Sequence, residues 1–342
     1  MIAAVRSNDL ALVQRLLLDE TTASTSSTAM VDALCCAARL NHCAVLAALC
    51  ARAPHCVHSP DRDGVEALLH AVTHRQLGAA RVLLDAGADA NARTRDLRTA
   101  LTVAASNDDR DMAALLLECG ANVSVFATAD KDDVLGTHLM QACLSGSLAC
   151  AALFVAAGQD PNAPNSTGGT PLMALVATGN FDAVKCLVGA GAACDRFDAR
   201  DGSPLIVAAS RGFALIAAFL ATMHAGSLRR ADLHGRTPLM HAAAAGHAAT
   251  VVCLVDRGAQ LDVTDRSGFT ALMLAAQRGH TDVVRALLAA GASATVAIKL
   301  NVFKKINALT LAKTGGHVDI VALLQQAIRG AKKRQPQSSK ED

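Results

Sequence analysis

Leu239, Ala242 and Ala243 are spaced to share one face of a short helix, and Val251, Val252, Leu254 and Val255 are spaced to line the inner face of a second. Gly246 lies between the two runs and permits a tight turn. Ahead of them, Thr237 is a good N-cap, and Pro238 suits the first helical position, where its missing N–H costs nothing. Gly258 offers the left-handed backbone that commonly ends a helix, and turn-forming residues follow as far as Asp265 and Gly268. The pattern predicts a helix, a turn, a second helix and a hairpin finger.

The same phrase returns 33 residues later at Thr270-Ala271-Leu272. Backwards from Thr237 it opens at Ser203-Pro204-Leu205, Thr170-Pro171-Leu172, Thr137-His138-Leu139, Thr99-Ala100-Leu101 and Glu66-Ala67-Leu68, in steps of 34, 33, 33, 38 and 33 residues. Worn copies begin at Asp32-Ala33-Leu34 and Asn307-Ala308-Leu309, while Ala4, Leu12-Val13 and Leu16-Leu17 fit a copy without its opening. That makes ten units, opening near 1, 32, 66, 99, 137, 170, 203, 237, 270 and 307, over residues 1–328.

The phrase Thr-Pro-Leu-x-x-Ala-Ala-x-x-Gly-His, followed by Val-Val-x-x-Leu-Leu and a Gly-Ala turn, resembles the ankyrin repeat. The resemblance implies an all-α ankyrin-repeat solenoid of stacked helix-turn-helix units joined by β-hairpin fingers, elongated and without an independent second domain. One unit cannot bury its own apolar face, so stacking is obligatory.

Several units depart from the pattern. The unit at Thr99 has Asp108-Asp109 in place of Gly-His, and its outgoing finger, Ser124 to Leu135, is lengthened and holds Asp130, Asp132 and Asp133. The unit at Ser203 lacks its Gly-Ala turn where one is expected and ends in Met223-His224-Ala225-Gly226. The last finger, Ser293 to Ile306, is also long and includes Phe303. Residues 329–342 are charged and unpatterned and are expected to form a disordered basic tail.

Composition narrows the picture. Hydrophobic residues make up 52% of the chain, but it has no Trp, no Tyr and only 8 Phe, so the core must be close-packed Ala, Leu and Val. The longest apolar run, Leu148 to Ala157, is about half a membrane span. The N-terminus meets charged and polar residues too early for a secretory signal. The 11 cysteines are scattered without a compact framework, as expected of free thiols in a reducing compartment. The chain is expected in the cytoplasm, with a tail that would also suit nuclear entry.

Candidate chemistry is sparse. The sequence contains no Gly-x-Ser-x-Gly elbow, His-Glu-x-x-His pair or phosphate-binding Gly-rich loop, so no catalytic residue, cofactor or small-molecule substrate is expected. Cys35, Cys36, His42, Cys43, Cys50, His55, Cys56 and His58 offer zinc-like donors without a Cys-x-x-Cys knuckle, and His70 and His74 lie one helical turn apart. The seven-residue spacing of Cys36, Cys43 and Cys50 recurs at Cys143 and Cys150, favouring core packing, so no metal ligand is assigned. Lys332-Lys333-Arg334 resembles a basic signal, but a net charge of +2 and the dearth of rings argue against nucleic-acid binding.

The charge is unevenly divided. Residues 1–198 hold 14 Lys and Arg against 21 Asp and Glu, whereas residues 199–342 hold 18 against 9. Ankyrin arrays, as a family, bind partner proteins along a concave face made by fingertips and first helices. Carried onto this sequence, the resemblance implies fingertip positions Arg62, Asp63, Arg95, Arg98, Arg200, His234, Arg236, Arg266 and Phe269, and first-helix positions His74, Asn107, Arg211 and Arg278. Asp201, Asp232 and Asp265 are read as turn formers that leave the arginines free to grip an acidic surface or peptide. The expected role is a non-enzymatic scaffold or adaptor; a permanent structural subunit of a cytoskeletal or ribonucleoprotein assembly is the alternative.

Overall fold

The computed structural model describes residues 1–18, 27–94, 96, 98–123, 136–200, 202–299 and 305–334. Its fold is the expected all-α one, with twenty α-helices in successive pairs among the described residues. The helices belong to two compact units, Met1–Ala174 with Gly189–Gly191, and Leu175–Val188 with Ala192–Asp342. In the first, Ser27–Leu40 packs on Ala67–Thr73; in the second, Pro204–Arg211, Pro238–Ala245, Ala271–Arg278 and Ala308–Thr314 pack in series.

The unit beginning at Thr237 shows why these residues fold this way. The Thr237 hydroxyl accepts the Met240 N–H, Pro238 occupies the first turn, and Gly246 ends Pro238–Ala245 at φ +85°. Leu239, Ala242, Ala243, Val251 and Leu254 are buried, but Val252 is turned outward and 45% exposed. The inner face of the second helix is therefore narrower than the sequence suggests. Asp108 takes the left-handed conformation of the missing glycine at φ +54°, as Asn8, Asn41 and Arg75 do in their own turns. Where the Gly-Ala turn is lost, a 3-10 turn follows the second helix: Ala225–Arg229 after Ala214–Met223, and Pro54–Cys56 after Cys43–Arg52.

The fingers refine one expectation and the tail changes another. Among the described residues, paired strands occur only at Ala297–Lys299 with Lys305–Asn307; the other fingers turn back through single backbone bonds, such as Asp232 N–H to the Arg236 carbonyl and Asp265 N–H to the Phe269 carbonyl. Elsewhere an Asp or Asn closes the finger on itself: Asp61, Asn165, Asp198, Asp232 and Asp265 each accept two backbone N–H groups two and four residues on. This bonding needs no strand ladder. The final helix, Val318–Arg334, runs past residue 328, so the tail cannot be wholly irregular from 329. The fingers at 124–135 and around Phe303, and residues 335–342, lie outside the described residues.

Candidate partner-binding face

Three consecutive fingers of the second unit are bonded side by side. The Leu233 N–H donates to the Arg200 carbonyl at 3.4 Å, and the Arg266 N–H donates to the His234 carbonyl at 2.9 Å. These bonds set Arg200, Leu233, His234 and Arg266 in one row, and all four are exposed. Among the described residues, no bond engages the Arg200 or Arg266 guanidinium groups. Phe269, half-buried, donates its backbone N–H to Asp265.

The other predicted arginines are occupied by the fold. Arg236 donates Nε–H to Asp265 Oδ2 at 3.3 Å, and the Asp265 side chain is only 2% exposed. A buried carboxylate without its cation would be costly, so Arg236 holds one finger to the next. Arg211 and Arg278 reach back to the Ala177 and Ala244 carbonyls at 3.2 and 2.8 Å, tying each first helix to the one before it. The expectation that these three are free is therefore corrected. So is their equivalence: Arg200 stands two residues after its turn-forming Asp198, Arg236 four after Asp232 and Arg266 one after Asp265. Asp198 is a turn former of this finger; Asp201, expected to be one, lies outside the described residues.

In the first unit the predicted positions are dispersed. Arg62 pairs with Asp32 at 3.5 Å, and Arg98 donates to the Ser106 hydroxyl at 2.8 Å. Arg95 lies outside the described residues. Asp63 gives its N–H to Asp61, and a His74 ring nitrogen meets the His70 carbonyl at 2.9 Å. Asn107 faces backwards, donating to the Val72 carbonyl while its own carbonyl accepts from Arg75.

Two features were missed in the sequence. His241 pairs with Asp232 at 2.9 Å, and His70 pairs with Asp61 at 2.7 Å, each nine residues after its finger carboxylate. Burial works against the Asp232 carboxylate, but N–H groups of Arg236 and His234 and the His241 ring outweigh it and hold its pKa below the ordinary value. Burial lowers the His241 pKa, with Asp232 opposing. The nine-residue recurrence could have been found by aligning fingers instead of helices. The second feature is that Cys35 joins the Asp61–His70 couple, with one donor atom from each of the three residues lying within 4.8 Å of the others.

Of the other cysteines, Cys50, Cys56, Cys143 and Cys150 are buried as packing residues, whereas Cys119 and Cys186 are exposed. Burial pushes Cys143 up to about 12 and Cys50 and Cys150 up to about 11, leaving all three as thiols at neutral pH.

An ankyrin-repeat family profile, described as three copies of the repeat, matches residues 1–94, 57–127, 139–232 and 223–298. The chain belongs to the ankyrin-repeat family. Ankyrin repeats generally mediate protein–protein interaction. A stretch of 152 residues is 33% identical to the nuclear factor NF-kappa-B p105 subunit of Gallus gallus, covering 44% of this chain and 15% of that protein. A stretch of 161 residues is 40% identical to ankyrin repeat domain-containing protein 63 of Mus musculus, covering 44% of this chain and 40% of the relative. A third relative, the ankyrin repeat and KH domain-containing protein mask-1 of Caenorhabditis elegans, is 32% identical over 134 residues, covering 39% of this chain and 5% of its own length. The matched stretches thus span less than half of each relative. Among the described residues, no helix is long and apolar enough to cross a membrane.

Proposed function

We propose that this ankyrin array is a non-catalytic scaffold or adaptor of the cytoplasm, which docks an acidic surface or peptide of a partner protein on the finger row of its second unit. The observation that carries the reading is the bonded row itself, in which Arg200 and Arg266 project cationic groups that no bond engages among the described residues. The excess of 18 basic over 9 acidic residues in 199–342 supports an acidic partner. Arg suits this task because its planar fork makes two hydrogen bonds to one carboxylate. Leu233, 43% exposed, adds apolar surface within the row.

Titration of the full chain with a labelled Glu-rich peptide and with a Lys-rich peptide of equal length tests the reading. The acidic peptide is expected to bind, and to bind more weakly as salt shortens the Debye length from roughly 10 Å at 0.1 M to 3 Å at 1 M. Equal binding of the two peptides, or indifference to salt, would overturn it.

A further inference from the structure

Cys35, Asp61 and His70 come from three different elements. Cys35 lies on Ser27–Leu40, Asp61 opens the following finger, and His70 lies on Ala67–Thr73. One donor atom from each lies within 4.8 Å of the other two, and among the described residues no other His, Cys, Asp and Glu side chains converge in this way. Two backbone N–H groups, from Asp63 and Val65, fix Asp61 Oδ1 at 2.9 Å each, leaving Oδ2 directed at His70. The side chains of Asp61 and His70 are 12% and 17% exposed, and Cys35 is 5% exposed.

The second unit contains an internal comparison. Asp232 and His241 repeat the couple with the same turn bonds, but the residue 26 positions before Asp232 is Ile206, where Cys35 stands 26 before Asp61. An aspartate–histidine couple is thus something this fold makes without a thiol. What the first unit adds is sulfur, and sulfur, imidazole nitrogen and one carboxylate oxygen form a donor set suited to zinc and poorly suited to the hard cations calcium and magnesium.

We propose that Cys35, Asp61 and His70 bind one zinc ion. As the Zn–S bond forms, the Cys35 thiol proton leaves to solvent, and the ion takes the place of the hydrogen bond between His70 and Asp61. Three protein ligands leave one tetrahedral position. Asp61 also borders a cavity of about 170 Å³ that is lined in addition by Asp32, Ser59 and Arg62. The fourth position is left to water. The ion joins two successive first helices and the finger between them.

Cobalt(II) titration of the reduced full chain tests the site, because a thiolate ligand gives an intense near-ultraviolet charge-transfer band. One equivalent of cobalt is expected to produce that band together with tetrahedral visible absorption, and one equivalent of zinc to abolish both. Cys35→Val, which approaches the Ile206 arrangement, should remove the band. Asp61→Asn should weaken binding at least tenfold while keeping the finger closed, since Asn165 makes the same turn. His241→Gln should leave cobalt binding unchanged, and zinc should raise the unfolding midpoint of the parent more than that of Asp61→Asn. Absence of the band in the parent would overturn the proposal. So would its survival in Cys35→Val, which would place the metal on other thiols. Should Cys35→Val fail to fold by circular dichroism, undiminished affinity in Asp61→Asn would overturn it alone.

Discussion

Glu66 occupies the position at which neighbouring units place a capping hydroxyl. Thr99, Thr137, Ser203, Thr237 and Thr270 each accept the backbone N–H three residues on, whereas Glu66 makes no cap bond. Its Oε2 is buried without a hydrogen-bond partner, and burial, reinforced by Asp89, raises its pKa. A raised folded pKa means that its contribution is most favourable below the ordinary glutamate value and is lost as pH rises through the folded one. Glu66→Thr is therefore expected to stabilise the chain by about 1 kcal/mol at pH 7, and by less at pH 4, in chemical unfolding. His138 carries the opposite dependence. Burial lowers its pKa to about 4, and the neutral ring meets the Thr99 hydroxyl at 2.8 Å. Its contribution is present above pH 6.5 and is lost as pH falls toward 4, up to about 3 kcal/mol. His138→Leu should flatten the acid limb of a stability–pH profile over that window; an unchanged profile would show that His138 does not drive it.

The helical elements were readable because their signals are local. Thr237-Pro238, the Leu239, Ala242, Ala243 face and Gly246 state a start, a buried side and a stop within one short stretch. The turn at Asp108 was harder to read, since its left-handed backbone is imposed by the stack on a residue that tolerates it without preferring it. Asp108→Gly should thus gain about 0.5–1 kcal/mol, as the relieved backbone strain exceeds the added chain entropy. The fingers were readable only in part. That they contain turn formers is written in the sequence; that the Arg236 guanidinium serves Asp265 depends on a neighbour 29 residues away, and that of Arg200 has no such neighbour among the described residues. Arg236→Ala is expected to cost about 2 kcal/mol by leaving the buried Asp265 carboxylate without its cation, where the sequence alone suggested little loss. The convergence of Cys35, Asp61 and His70 was hidden for the same reason, because the sequence sets Cys35 among other cysteines and His70 beside His74.

For the molecule as a whole, the division of charge is a sequence property, but the division of labour among arginines is a structural one. Removing two charges from the basic half can act on folding or on docking, and the structure separates the two. The Arg200 and Arg266 side chains are exposed and have no bonding partner among the described residues, whereas Arg211 and Arg278 brace successive first helices. The deciding measurement is the affinity of the Glu-rich peptide for Arg200→Ala/Arg266→Ala beside that for Arg211→Ala/Arg278→Ala, with the unfolding free energy of each. The first pair should weaken binding about tenfold or more with stability unchanged within about 0.5 kcal/mol. The second should lose about 1–2 kcal/mol of stability and weaken binding much less. Equal loss of affinity in both pairs, or none in the first, would contradict docking on the finger row.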